Sequence, residues 1–102
     1  MKKIINGKMY NTETATEIIH YNNGLPYSDF SYFEESLYKK KTGEFFLAGS
    51  GGPMTKYATN YADGTCSSGK NIFPLEIHIA KIWAEKHMTT EKYIETFGDP
   101  EE

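Results

Sequence analysis

Apolar positions along this chain switch between short alternating runs and helical spacing. Ile4-Ile5 and Met9-Tyr10 flank Asn6-Gly7. Asn-Gly between short apolar arms is the strongest two-residue hairpin signal. Beyond it, Asn11 or Thr12 offers an N-cap, and Thr14-x-x-Glu17 has capping-box spacing. Ala15, Ile18 and Ile19 then fall on one side of a predicted short N-terminal helix, which Asn22 to Pro26 ends. The segment "SDFSYFEESLYKKKTGEFFLAG" places two aromatic-rich arms on either side of Lys41-Thr42-Gly43-Glu44. Gly43 would take the left-handed position that closes a hairpin with a bulge. This is the predicted central hairpin.

Serines and glycines dominate from Ser50 to Asn71. That composition predicts a long irregular loop with one short strand around Lys56-Tyr57, and loops of this length are usually functional. Asn71 to Phe73 predicts a last short strand. Pro74 is then placed to open a helix, where its missing N–H costs nothing. The helix would run from about Leu75 to Met88. Thr89 caps a second one, with Tyr93, Ile94 and Phe97 apolar, Gly98 as the stop and Pro100 beyond. The predicted fold is a single α+β domain over residues 1–102. A small antiparallel sheet of three to five strands is packed by the C-terminal helical pair and the short N-terminal helix.

The first C-terminal helix has an unusually wide apolar arc. Ala80, Trp83, Ala84 and His87 form one face; Leu75, Ile79 and Ile82 widen it to one side and Ile77 to the other. A surface helix needs a stripe of only about 100°. Sandwiching between sheet and second helix is the simpler explanation. A partner surface centred on Ile82 and Leu75 is the sharper one.

Composition narrows the chemistry. Aromatics make up 15% of residues, which predicts a core built on rings. All eleven cationic residues are Lys and none is Arg, and the net charge is −3. The planar fork that grips phosphates and guanine edges is therefore missing, so direct nucleic-acid binding is disfavoured. One cysteine, Cys66, permits no internal disulfide and no Cys-rich zinc site. The N-terminus carries lysines but no apolar signal region, so a soluble cytoplasmic protein is expected. Lys39-Lys40-Lys41 reads as a solvated, edge-protecting strand.

"GTCSSGKN", from Gly64 to Asn71, differs from a phosphate-binding loop only at its last position. Such a loop needs a buried strand before it and a helix directly after it. "KYATNYAD" precedes it, and Pro74 biases Phe73 away from helix. We therefore expect no nucleotide cofactor. Among the histidines, His78 and His87 lie on opposite sides of one helix, and no pair has metal-ligand spacing. A distributed set of His20, Cys66 and a further histidine stays open at this level. Cys66 has no histidine base near it in sequence. Glu34 and Glu35 project to opposite faces of a strand, so they form no acid–base pair. No catalytic residue, metal or cofactor is expected, and the chain does not read as an enzyme.

Three segments carry a resemblance: "NGKMYNTETATEI", "DFSYFEESLYKKKTGEFFLAGSGGPMTKYA" and the stretch from Ile72 to Gly98. They resemble a family of small proteins carried by phages and mobile elements of low-GC Gram-positive bacteria. The excess of Lys, Ile, Asn, Tyr and Phe fits an AT-rich source. Proteins of this profile include anti-CRISPR inhibitors, which block a host RNA-guided nuclease. In such relatives acidic residues tend to stand where this chain has Ser50, Ile77, Ile79 and Ile82. The resemblance implies a viral, stoichiometric inhibitor that occludes a nucleic-acid-binding surface in the host cytoplasm. Its expected partner is a host protein, a CRISPR effector nuclease above all, with a homodimer as a further association. The alternative reading is a nucleic-acid-associated or regulatory accessory protein of a mobile element, using Lys39 to Lys41 and the tyrosine-bearing loop. Glu34, Glu35, Tyr57, Tyr61, Leu75 and Ile82 are the candidate partner contacts.

Overall fold

The computed structural model describes residues 1–102. Strands β1 (Lys2–Ile5) and β2 (Lys8–Asn11) form a hairpin, closed by Asn6 and Gly7 with φ of 52° and 76°. Positive φ at both central residues is what this two-residue turn requires. Four longer strands make the main antiparallel sheet: β3 (Thr16–Asn22), β4 (Phe33–Lys39), β5 (Phe45–Gly51) and β8 (Gly69–Leu75), in spatial order β3-β4-β5-β8. A minor hairpin, β6 (Thr59–Asn60) and β7 (Cys66–Ser67), is inserted before β8. Helices α1 (Ile77–His87) and α2 (Thr90–Phe97) close the chain. The class is α+β, as expected. The central hairpin turns at Gly43, whose φ is 94°.

Three local expectations are corrected. The N-terminal helix is strand β3. Its β-branched Thr16, Ile18 and Ile19 favour the pleated sheet. A register shift between Glu17 and Ile19 brings both isoleucines against one core cluster. Two adjacent, partly buried isoleucines look helical in sequence because a bulge hides the period of two. Meanwhile Asn11 turns the chain locally, accepting the Glu13 N–H on its side chain and the Ala15 N–H on its carbonyl. The second correction is Pro74, which lies inside β8 opposite Phe46 rather than at a helix start. β8 is an edge strand, the one kind of strand where a missing N–H is tolerated; α1 opens two residues later, after Glu76. The third is Lys56-Tyr57, which belongs to no strand.

The sheet has two covered faces. On one, Leu37, Phe45 and Leu47 pack with Ala80 and Trp83, joined by Ile19, Tyr21, Phe73, Leu75 and Phe97. On the other, Phe46, Ala48 and Ile72 pack under Tyr10 from the β1–β2 hairpin. Tyr10 meets Phe46 edge-on at 5.5 Å, and Tyr38 stacks on Phe46 at 5.1 Å. The core is thus built on rings. Thr89 caps α2 by accepting the Lys92 N–H, and Gly98 ends it with a φ of 85°, as the sequence predicts.

Candidate functional site

Strand alternation sends Glu35 to the helix-covered face of β4, between Phe33 and Leu37. There its carboxylate is only 2% exposed. Three donors converge on it. The Tyr57 hydroxyl donates to Oε1, the Trp83 indole N–H donates to Oε2 at 2.8 Å, and the Lys56 ammonium lies 2.8 Å from Oε1. A buried carboxylate is tolerated only when paired and hydrogen-bonded in this way. The Lys56 ammonium also sits 5.4–5.9 Å from the ring centres of Tyr57, Phe33 and Phe73. β4, α1 and the 52–58 loop therefore share one polar knot inside the apolar layer.

Glycine makes room for it. A Cβ at Gly49 would stand 2.8 Å from Tyr57 Cζ and 2.8 Å from Glu35 Cβ, and would run into the Glu34 carbonyl. Gly49 lies opposite Glu35 in the β4–β5 register, and the Tyr57 ring fills the space above it.

Burial works to raise the Glu35 pKa, but the hydrogen bonds from Lys56, Tyr57 and Trp83 and the Lys56 charge outweigh it, leaving the group below its ordinary 4.5. Burial and the adjacent carboxylate push the Tyr57 hydroxyl far up, so it donates at all ordinary pH. His87 packs at a tilt against Tyr21, with ring centres 3.9 Å apart, and against Trp83, at 4.7 Å. Burial lowers its pKa below 6.5, against the attraction of Glu35. Both groups give the same sign. A neutral imidazole stabilises the fold above pH 6.5 and that contribution fades below it; an ionised Glu35 stabilises above 4.5 and that contribution is lost as pH falls through its depressed value. Melting temperature should therefore be level near neutrality, begin to fall below about pH 6.5, and fall again below about pH 4.5. Calorimetric scans across this range check it, and His87→Gln should flatten the upper step alone.

The remaining candidates separate in space. Glu35 and Tyr57, both proposed as partner contacts, are 2% exposed and engaged with each other, so neither presents a surface. Glu34 faces the opposite side and accepts the Tyr32 hydroxyl. Tyr61 is exposed beside Ser67. The lysine run is not on an edge, because β3 pairs outside β4. Lys40 is held over the Tyr10 ring at 4.3 Å and against Glu44 at 3.3 Å, while Lys39 lies over Phe45. Gly64 turns the β6–β7 hairpin with a φ of 88°, and Lys70 and Asn71 continue into β8. No helix follows them, so "GTCSSGKN" lacks the geometry of a phosphate-binding loop. His20 meets Ser36 and Cys66 meets Asn60. No three His, Cys, Asp or Glu side chains gather with the geometry of a metal site.

Leu75 and Ile82 fare differently. α1 buries only Ala80, Trp83 and Ala84. Ile77, Ile79 and Ile82 are 52%, 41% and 48% exposed. Ile79 and Ile82, three residues apart, are neighbours on the helix surface. Ile79 also lines a groove of about 370 Å³ with Leu47, Phe73, Leu75, Trp83 and Lys56. An apolar strip thus runs from the β8 edge of the helix-covered face onto the outside of α1. Sandwiching does not explain this arc, because α2 leaves it uncovered.

Known protein families, curated proteins and solved structures offer this chain no match. Charge is distributed unevenly along the chain: from Glu76 to Glu102 there are seven acidic residues and three lysines, against seven acidic residues and eight lysines before it. The helical end is acidic and the sheet end is not. No helix of the protein is long and apolar enough to cross a membrane.

Proposed function

We propose that this protein is a stoichiometric binding protein that occludes a basic surface of a partner protein, and that the partner is an RNA-guided nuclease. The observation that carries the first part is the strip formed by Ile79 and Ile82, half-exposed on a helix whose buried face is already satisfied by alanines and Trp83, and continued by the partly buried Leu75 at the end of β8. Contiguous apolar surface rimmed by polar residues is the usual anchor of a protein interface. The C-terminal segment that carries this helix is net acidic, with seven acidic residues against three lysines from Glu76 to Glu102. Its carboxylates would be drawn to the lysines and arginines that line a nucleic-acid channel, raising the encounter rate at low salt. The nuclease itself rests on the sequence resemblance to phage-borne inhibitors.

Binding, in this reading, needs no chemistry. The apolar strip would desolvate against the partner while the net negative charge of the C-terminal segment orients the encounter. Nuclease cleavage measured at rising ratios of this protein to enzyme should fall to zero near equimolar. Full inhibition at strongly substoichiometric amounts would indicate turnover and refute a binding mechanism. No inhibition and no complex on a sizing column, with nucleases of the main RNA-guided types, would refute the assigned partner.

A further inference from the structure

At the opposite end of the sheet from the α1–β8 connection, a second cavity of about 570 Å³ opens between the 26–32 loop, the end of β5 and the β7–β8 junction. That volume is in the range of small-molecule sites, about 300–1,000 Å³. Its walls combine three aromatic rings, Tyr27, Phe30 and Tyr32, with Asp29 and the serines at 28, 50, 67 and 68. No lysine lines it.

The loop that carries the rings is fixed by backbone bonds. The Asp29 N–H donates to the Pro26 carbonyl, the Tyr32 N–H to Asp29, the Gly52 N–H to Tyr32 and the Met54 N–H to Phe30. Asp29 Oδ1 holds the Ser31 N–H at 2.8 Å. Gly52 is required for this closure, since a Cβ there would meet the Phe30 carbonyl. Yet the rings are not used for packing: Tyr27 is 85% and Phe30 66% exposed. The Tyr27 ring pairs with that of the neighbouring Tyr32, at 5.3 Å and 52°. Large rings held in water on a pinned loop are costly to keep for stability alone, and they are what a ligand with a flat apolar face would cover.

We infer that this cavity binds an uncharged, polyhydroxylated ligand, namely a saccharide unit, with its ring face on Tyr27 and Phe30 and its hydroxyls on Asp29, Ser50 and Ser68. Three features select that class. Aromatic rings cover the apolar C–H face of a sugar. Many small hydroxyls and a carboxylate suit several hydroxyl partners better than one charged group. The lack of a cation, with Asp29 in the wall, opposes phosphates and other anions.

The site lies apart from the isoleucine strip and stands independently of the proposed partner. Amide chemical-shift titrations test it with three neutral tetrasaccharides as probes: chitotetraose, cellotetraose and maltotetraose. Oligothymidylate and N-acetylarginine amide serve as the competing chemistries. At least one saccharide should move amides of residues 27–32, 50–52 and 67–69 with millimolar affinity. Tyr27→Ala and Phe30→Ala should each weaken that response about tenfold or more, as loss of a ring contact worth about 1.4 kcal/mol requires, while the melting temperature stays unchanged. Shifts at these amides with oligothymidylate or the arginine amide alone would overturn the saccharide assignment. So would the absence of any shift, or a saccharide response that survives both ring deletions.

Discussion

Trp83→Ala should lower the unfolding free energy by about 3–5 kcal/mol, the cost of truncating a large buried ring. Small domains hold only about 5–15 kcal/mol in all, so the variant should melt far below the parent or fail to fold. Two contributions combine in this side chain. Its ring fills the space between β4, β5 and α1 as part of the larger core cluster, and its indole N–H donates to Glu35 at 2.8 Å. Trp83→Phe separates them. It keeps an aromatic ring and removes the donor, so it should cost less than alanine but more than ring volume alone accounts for. Chemical denaturation of both variants, followed by circular dichroism, measures the difference. A Trp83→Ala protein as stable as the parent would mean that α1 does not pack as described.

Glu35→Ala should be similarly damaging, by about 3–5 kcal/mol, because it leaves partners of a buried charge uncompensated. The Tyr57 hydroxyl and the Trp83 N–H would be stranded without an acceptor, and each orphaned buried donor costs about 1–3 kcal/mol. Lys56 is less affected, since nearly half of its side chain already reaches water. The sharper expectation is non-additivity. Tyr57→Phe should destabilise the parent, yet in the Glu35→Ala background it should be neutral or stabilising, since it removes an orphan. A coupling energy above about 0.5 kcal/mol in this cycle would be beyond the scatter of independent sites. Simple additivity would show that the two groups do not share a hydrogen bond.

The different elements were unequally legible in the sequence. Both hairpin turns were readable because their chemistry is local: Asn6-Gly7 and Gly43 take backbone conformations few other residues accept. The cap at Thr89 and the stop at Gly98 were readable for the same reason. β3 was misread because a bulge broke its alternation and a capping-box pattern happened to precede it. Pro74 was misread because proline suits both a first helical turn and an edge strand, and only the pairing with Phe46 decides between them.

The interior knot shows a different limit. Alternation did place Glu34 and Glu35 on opposite faces, but which face would be buried depends on where α1 lands. A carboxylate next to a run of aromatics, with Trp83 48 residues away, gives no local sign that it will be satisfied internally. One clue was present: Glu35 alternates with Phe33 and Leu37, so a strand reading that buries those two buries the glutamate with them. The isoleucine strip, by contrast, follows from counting along one helix. The structure added the exposure of Ile77, Ile79 and Ile82 and the groove that joins Ile79 to Leu75.

Binding through that strip is the claim on which the functional reading depends. The most direct measurement compares the parent with an Ile79→Ser, Ile82→Ser double variant, which removes the apolar anchors without adding charge, in a calorimetric titration against the nuclease that the parent inhibits. Both side chains are half-exposed, so the variant should keep its melting temperature to within a few degrees. Its affinity should fall by about 30-fold or more, the effect of losing interface anchors worth 2 kcal/mol or above. Unchanged affinity in a fully folded double variant would show that the partner binds elsewhere and would contradict the account.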